Sequence, residues 1–356
     1  MRLRLIDGHC PWPYAPGDLL TRAMGGTEAS VLHLAEGLAG RGVEVIVHQH
    51  NRTAVARQGA TYAPLGDPGA VADADPQARV IVVNAAKIAL LWARRQPCAR
   101  VLLWRHNFVG ARTASLGPAL SQAGVRVVCV SRFHADHTVG RMRAKHAALP
   151  AIGVIANPVV TYDPGPVAVD PDRLIFASSP HKRLADCLAR FQAVRRIVPG
   201  LRLSVCNPGY KPDAAAGDDG VDSLGALPRP ALHRHLAGAL ALFHAQDFPE
   251  TFGLVFAESM ALGTPVLAPP VAAAPEVIGD PRQCAPIDPA PALAARIEAW
   301  RAGGRPRPVA NPDFALPAVL SRWQAALDAP ISGDAPADDQ PKILAATSAT
   351  RRSRWP

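Results

Sequence analysis

The sequence predicts an α/β protein made of two doubly wound domains. Short β-rich runs alternate with helical stretches along nearly the whole chain. A break rich in Pro, Gly and Asp interrupts them at residues 157–171, after which the alternation restarts. Several strand runs are apolar throughout rather than alternating, as a parallel sheet covered on both faces requires.

In the first half the expected strands are residues 3–7, 44–48, 80–84, 101–104, 125–130 and 153–156, with helices at 27–39, 85–95, 116–123 and 133–145. In the second half strands are expected at 174–177, 202–206, 239–244 and 266–268, with helices at 183–197, 229–236, 252–262 and 290–301. Apolar residues then recur at helical spacing over 314–328, from Leu316 and Val319 through Leu320, Trp323 and Leu327. The domains expected are therefore 1–160 and 161–312, with a helix at 313–328 crossing back to the first. A polar, Pro-rich and basic segment, 329–356, is expected to be disordered. In open sheets of this kind ligands bind at the carboxyl ends of the strands, so two such domains would face each other across a cleft.

Bulk properties narrow the classes. The 356 residues suit two domains, and 49% hydrophobic against 19% charged residues is a globular balance. The net charge of +9 favours an anionic partner such as a nucleotide or a phospholipid surface. No recognition module with interleaved aromatics accompanies it, so nucleic acid is not expected as a partner. Six scattered cysteines without a CxxC pair argue against zinc or redox chemistry and read as buried thiols in a reducing compartment. The first residues turn polar too soon for a signal peptide, and no apolar run reaches the ~18 residues of a membrane span. A cytoplasmic protein is expected.

The richest stretch runs from Pro249 to Pro265, where Glu250 and Glu258 stand with seven residues between them. Pro249 precedes the expected helix, and Gly263 and Pro265 stop it. Its N-terminus offers unpaired backbone N–H groups and the positive end of a dipole, a ready site for an anion or a sugar hydroxyl. Glu258 lies among Leu254, Val255, Phe256, Met260 and Leu262. A carboxylate in such surroundings needs a hydrogen-bonding partner, and its two acceptor oxygens suit a vicinal diol such as a ribose. The plain alternative is a structural contact.

The segment from Glu250 to Glu258, set in Pro-Glu-Thr-Phe-Gly-Leu-Val-Phe-Ala-Glu-Ser-Met-Ala-Leu-Gly-Thr-Pro-Val, resembles the E-x7-E motif of the family-4 retaining glycosyltransferases of GT-B fold. Gly25-Gly26-Thr27-Glu28 resembles that family's glycine loop. The runs Val128-Cys129-Val130-Ser131-Arg132-Phe133 and Val154-Ile155-Ala156-Asn157-Pro158-Val159 resemble segments closing its first domain. The resemblance spans residues 3–328 and implies the roles that follow. Glu250 contacts the donor sugar, near the backbone amides of Phe252, Gly253 and Leu254, and Glu258 holds the ribose. Gly25 and Gly26 let the backbone approach the donor diphosphate and the acceptor side of the cleft, glycine having no Cβ and tolerating positive φ. Lys182 clamps the diphosphate. The Arg usual five residues earlier is replaced by Ala177, leaving Arg183 or His181 to supply the second charge. A cation at a helix N-terminus is otherwise disfavoured, which independently favours an anion beside Lys182. His106 would face the sugar from a strand end, a structural hydrogen bond being its plain alternative. His9 and His244 also lie near strand ends.

Asp73-Ala74-Asp75 and Asp170-Pro171-Asp172 have the form of a D-x-D metal motif, but each reads as a solvated turn. His48-Gln49-His50 and His233-Arg234-His235 lack Cys or acidic neighbours and do not read as metal sites. No metal or other cofactor is expected. The expected function is retaining transfer of a sugar from a nucleoside-diphosphate donor to a glycan or glycolipid hydroxyl, in bacterial polysaccharide or glycolipid synthesis, with possible peripheral contact at the inner membrane face. The alternatives are a non-catalytic nucleotide-sugar or glycan-binding protein on the same fold and a nucleotide-sugar epimerase. A nicotinamide dehydrogenase is disfavoured, because no GxGxxG follows the first strand.

Overall fold

The computed structural model describes residues 1–75, 78–97, 100–146, 148–209 and 219–329. Its strands are β1 (Arg2–Asp7), β2 (Glu44–Gln49), β3 (Ala56–Gln58), β4 (Ala60–Pro64), β5 (Arg79–Val83), β6 (Val101–Arg105), β7 (Arg126–Cys129), β8 (Ile152–Val154), β9 (Asp170–Ala177), β10 (Arg202–Asn207), β11 (Val221–Ala226), β12 (Ala239–Phe243) and β13 (Val266–Leu267). They form two sheets, ordered β3-β4-β2-β1-β5-β6-β7-β8 and β11-β10-β9-β12-β13. Every pairing is parallel except β3 with β4.

The chemistry of the strands explains their places. The central strands β6 and β12 are buried along their whole lengths, as sheets covered by helices on both faces require. The strands the sequence did not announce are short or edge strands. β3 and β4 form a hairpin around Gly59, which takes φ 81°. β11 has no buried residue and closes one edge of its sheet. β9 corrects the reading of Asp170-Pro171-Asp172 as a solvated turn. It begins at Asp170, which pairs with Arg202, and Asp172 pairs with Arg301. Asp75 is likewise not solvated: it is buried and bound by Arg4 at 2.8 Å, while Asp73 is exposed beside Arg95.

Helix Leu316–Asp328 belongs late in the chain but packs on the first half. An added Cβ on Gly37 of helix Gly26–Ala39 would stand only 2.7 Å from Leu320. Trp323, fully buried, meets Trp104 of β6 edge to face at 5.0 Å. Arg41 binds Gln324 at 2.6 Å, and the amide of Val159 donates to the Phe314 carbonyl at 2.8 Å. The described cysteines are all buried and unbridged; Cys98 lies outside the described residues. So does nearly all of the expected tail, from residue 330 on. No helix among the described residues is long and apolar enough to cross a membrane.

Candidate active site

A cavity of about 550 Å³ opens between the carboxyl ends of the two sheets. From the first half it is lined by Gly25, Gly26 and Glu28 at the start of a helix, by His106, Asn107 and Phe108 after β6, and by Asn157 after β8. From the second come Lys182 after β9, Asn207 of β10, Arg229, Glu250 to Leu254, and Glu258. Nine of the ten sequence-selected residues line this one space.

The tenth, Arg183, does not. It takes the left-handed conformation at φ 61°, opening helix Leu184–Arg195, and its exposed side chain lies 3.7 Å from Asp186. This corrects the expectation that Arg183 adds charge to the donor site. Its neighbour Lys182 turns inward instead, its Nζ donating to both oxygens of Glu250 at 2.8 and 3.0 Å. Cation and acid thus hold each other at the cavity surface. Ser179 and His181, also in the lining, bond to each other at 2.7 Å.

Glu258 has a protein partner that sequence reasoning missed. Arg229 Nη1 donates to Glu258 Oε1, and both side chains are buried. His233 Nε2 stands 3.9 Å from the same oxygen. Burial pushes the Glu258 carboxyl up, but Arg229 and then His233 outweigh it and hold the group below the ordinary carboxylate value. Its Oε2 is buried without a hydrogen bond. A signal for Arg229 exists. It occupies the first turn of helix Arg229–Ala237, where a cation is disfavoured unless an anion faces it, the same logic that favoured an anion beside Lys182.

The helix expected from residue 252 starts later, at Leu254. Gly253 precedes it at φ 80°, and an added Cβ would stand 2.4 Å from the Phe256 ring, so this position needs glycine on two counts. Thr251 and Phe252 are spent on other contacts. Thr251 Oγ1 donates to the His106 carbonyl at 2.6 Å, and the Thr251 carbonyl accepts from Ser131 Oγ at 2.6 Å. Phe252 packs edge-on against Phe314 at 5.0 Å. The carboxylate of Glu276 receives the amides of Arg132 and Phe133 at 2.9 and 3.1 Å, a second tie between the halves. Neither Gly25 nor Gly26 takes positive φ. An added Cβ on Gly26 would make ordinary van der Waals contact with Leu254 across the cavity, at 3.4 Å.

His106 is buried with its ring 4.4 Å from that of Trp104, and its amide donates to Asn84 Oδ1 at 2.8 Å. Burial, with His134 and Arg105 nearby, pushes its pKa down to about 3, so the imidazole is neutral. Its Nε2 is buried and unpaired. His9 and His244 do not line the cavity; His244 instead bonds to Gln246. Among the described residues no three His, Cys, Asp or Glu side chains converge as metal ligands would.

This architecture has known counterparts. The chain aligns over 92% of its length, and 99% of the other, with HepE of Anabaena in complex with UDP and glucose, at TM-score 0.63 and 14% identity. Sucrose-phosphate synthase of Thermosynechococcus elongatus aligns with 91% of this chain and 97% of its own, at TM-score 0.62 and 16% identity. The fold is GT-B. AviGT4, a glycosyltransferase involved in avilamycin A biosynthesis, shares it at TM-score 0.56 and 17% identity, covering 92% of this chain and 96% of that one. Residues 171–301 match the family model described as Glycosyl transferases group 1. No curated protein matches the chain by sequence.

Proposed function

We propose that the protein is a retaining glycosyltransferase that moves a sugar from a nucleoside-diphosphate sugar to a hydroxyl acceptor. The observation that carries this is the convergence of Lys182, Glu250, Glu258 and His106 on one cavity between the sheets of a GT-B fold. In this reading the donor diphosphate takes Lys182 from Glu250, and Glu250 is released to the sugar hydroxyls. The start of helix Leu254–Ala261 adds its dipole to Lys182 in stabilising the leaving diphosphate, and the scheme needs no metal. Glu258, kept ionised by Arg229, accepts from the ribose hydroxyls through the oxygen that is otherwise unpaired. His106, neutral, hydrogen-bonds the sugar.

The bond from the anomeric carbon to the diphosphate oxygen breaks while the acceptor oxygen bonds to that carbon on the same face. The acceptor proton passes to the departing phosphate oxygen. The protein contributes position, charge and exclusion of water. A role in polysaccharide or glycolipid synthesis, with peripheral membrane contact through the basic surface, completes the reading.

A second reading, donor binding without transfer, draws on Ala177 and on Arg183 facing away from the cavity. Calorimetry and product analysis with UDP-, GDP- and ADP-sugars decide. Binding with donor hydrolysis or transfer supports the enzyme. Binding that survives Glu250→Ala, with no turnover in the native protein, supports the second reading, and no binding sinks both.

A further inference from the structure

The cavity walls differ in charge. Among the described lining residues the side chains with a fixed positive charge, Lys182 and Arg229, both stand on the second-sheet wall, each bonded to a carboxylate. The first-sheet wall presents Glu28, His106, Asn107, Phe108 and Asn157. His106 is neutral, its pKa lying at about 3. Asn157 is only 5% exposed, and its Oδ1 has no hydrogen-bond partner. An unpaired buried carbonyl oxygen calls for a donor such as a hydroxyl. A phosphate beside Phe108 and Asn157 would meet no cationic side chain among the described lining residues of this wall, and uncompensated charge in a partly desolvated site is costly.

The same wall holds a fixed aromatic face. Phe108 is half-buried, with Phe133 edge-on at 6.2 Å and His137 at 4.7 Å behind it. The Asn107 carbonyl that precedes it is tied to His134 Nε2 at 3.1 Å. A ring immobilised in this way offers an apolar surface to the C–H face of a pyranose at little entropic cost.

We infer that the acceptor is a neutral saccharide rather than a phosphorylated one, its ring against Phe108 and a hydroxyl donating to Asn157. This deepens the proposed transferase activity and rests on it. The full chain, with whichever of UDP-glucose, UDP-galactose, GDP-mannose or ADP-glucose it hydrolyses, is offered octyl glycosides of glucose, galactose and mannose beside their 6-phosphates. Transfer is expected to at least one neutral glycoside, with its 6-phosphate slower by about tenfold or more. Equal or faster transfer to the phosphorylated partner overturns the inference. So does donor hydrolysis without transfer to any neutral glycoside. Absence of both donor binding and hydrolysis overturns the underlying transferase reading as well, which separates the two failures. Phe108→Ala is expected to raise the acceptor KM by about tenfold beyond any change in donor KM, and Phe108→Trp to restore it. An unchanged acceptor KM in a folded Phe108→Ala protein removes the ring from the site.

Discussion

The two charged pairs of the second-sheet wall share a design and differ in depth. Lys182 and Glu250 are 28% and 12% exposed at the side chain, whereas Arg229 and Glu258 are 8% and 5% exposed. The shallower pair can exchange partners with a ligand, because water screens the charges while they part. The deeper pair cannot, because either charge left alone would be desolvated and unpaired. The opposite wall presents a neutral imidazole and amides beside the carboxylate of Glu28. The two pairs thus differ in what a ligand could do to them: the shallow one can open, and the deep one holds its geometry.

The contrast between the two walls is broken most strongly by acid. Burial lowers His33 and His134 to about 4, and His106 and His244 to about 3, against an ordinary 6.5. Between those values the unfolded chain binds protons that the folded chain refuses. The stability these histidines contribute is therefore complete above 6.5 and is lost as pH falls below it. Glu258, with its pKa lowered, keeps its contribution until pH drops below the ordinary 4.5. Denaturant midpoints measured from neutral to acid pH should fall steadily, and a flat profile would contradict the buried neutral histidines.

Next in size, Arg229→Met strands a buried carboxylate and should cost about 3–5 kcal/mol in chemical denaturation. The double change with Glu258→Met should recover most of that stability without recovering donor affinity. A single variant as stable as the parent would place the pair among exchangeable ones. Lys182→Ala should behave oppositely, slowing transfer by about 10²–10³-fold with under about 1 kcal/mol of stability lost. Comparing kcat with the unfolding curve tests that separation. Gly253→Ala, forced into the left-handed region, should cost about 1–3 kcal/mol and raise the donor KM. Smallest, Thr251→Val removes the hydroxyl that bonds the His106 carbonyl and should cost about 0.5–1.5 kcal/mol. An unchanged melting temperature would show that the tie between walls carries no load.

Much of this was readable in the chain. Continuous apolar runs marked the central strands, and the stop at Gly263 and Pro265 was visible. The carboxylates Glu250 and Glu258 stood out because acids in apolar company need a reason. The start of their helix was misjudged by two residues, since Thr251 and Phe252 are held by Ser131, His106 and Phe314, contacts that no local pattern displays. Strands β3, β4 and β11 escaped notice because they are short or only partly buried and carry little continuous apolar signal.

By itself the sequence determined the two βα arrays and the break between them, because periodicity and caps are local properties, and its motifs picked out nine of the residues that line the cavity. Only the tertiary structure decided that Lys182 turns inward while Arg183 turns out, that Arg229 rather than a ligand alone answers Glu258, and that Phe108 and Asn157 face the same space. Those outcomes depend on which distant segments the two sheets bring together, and the free energy of a buried charge is set by its neighbours in space.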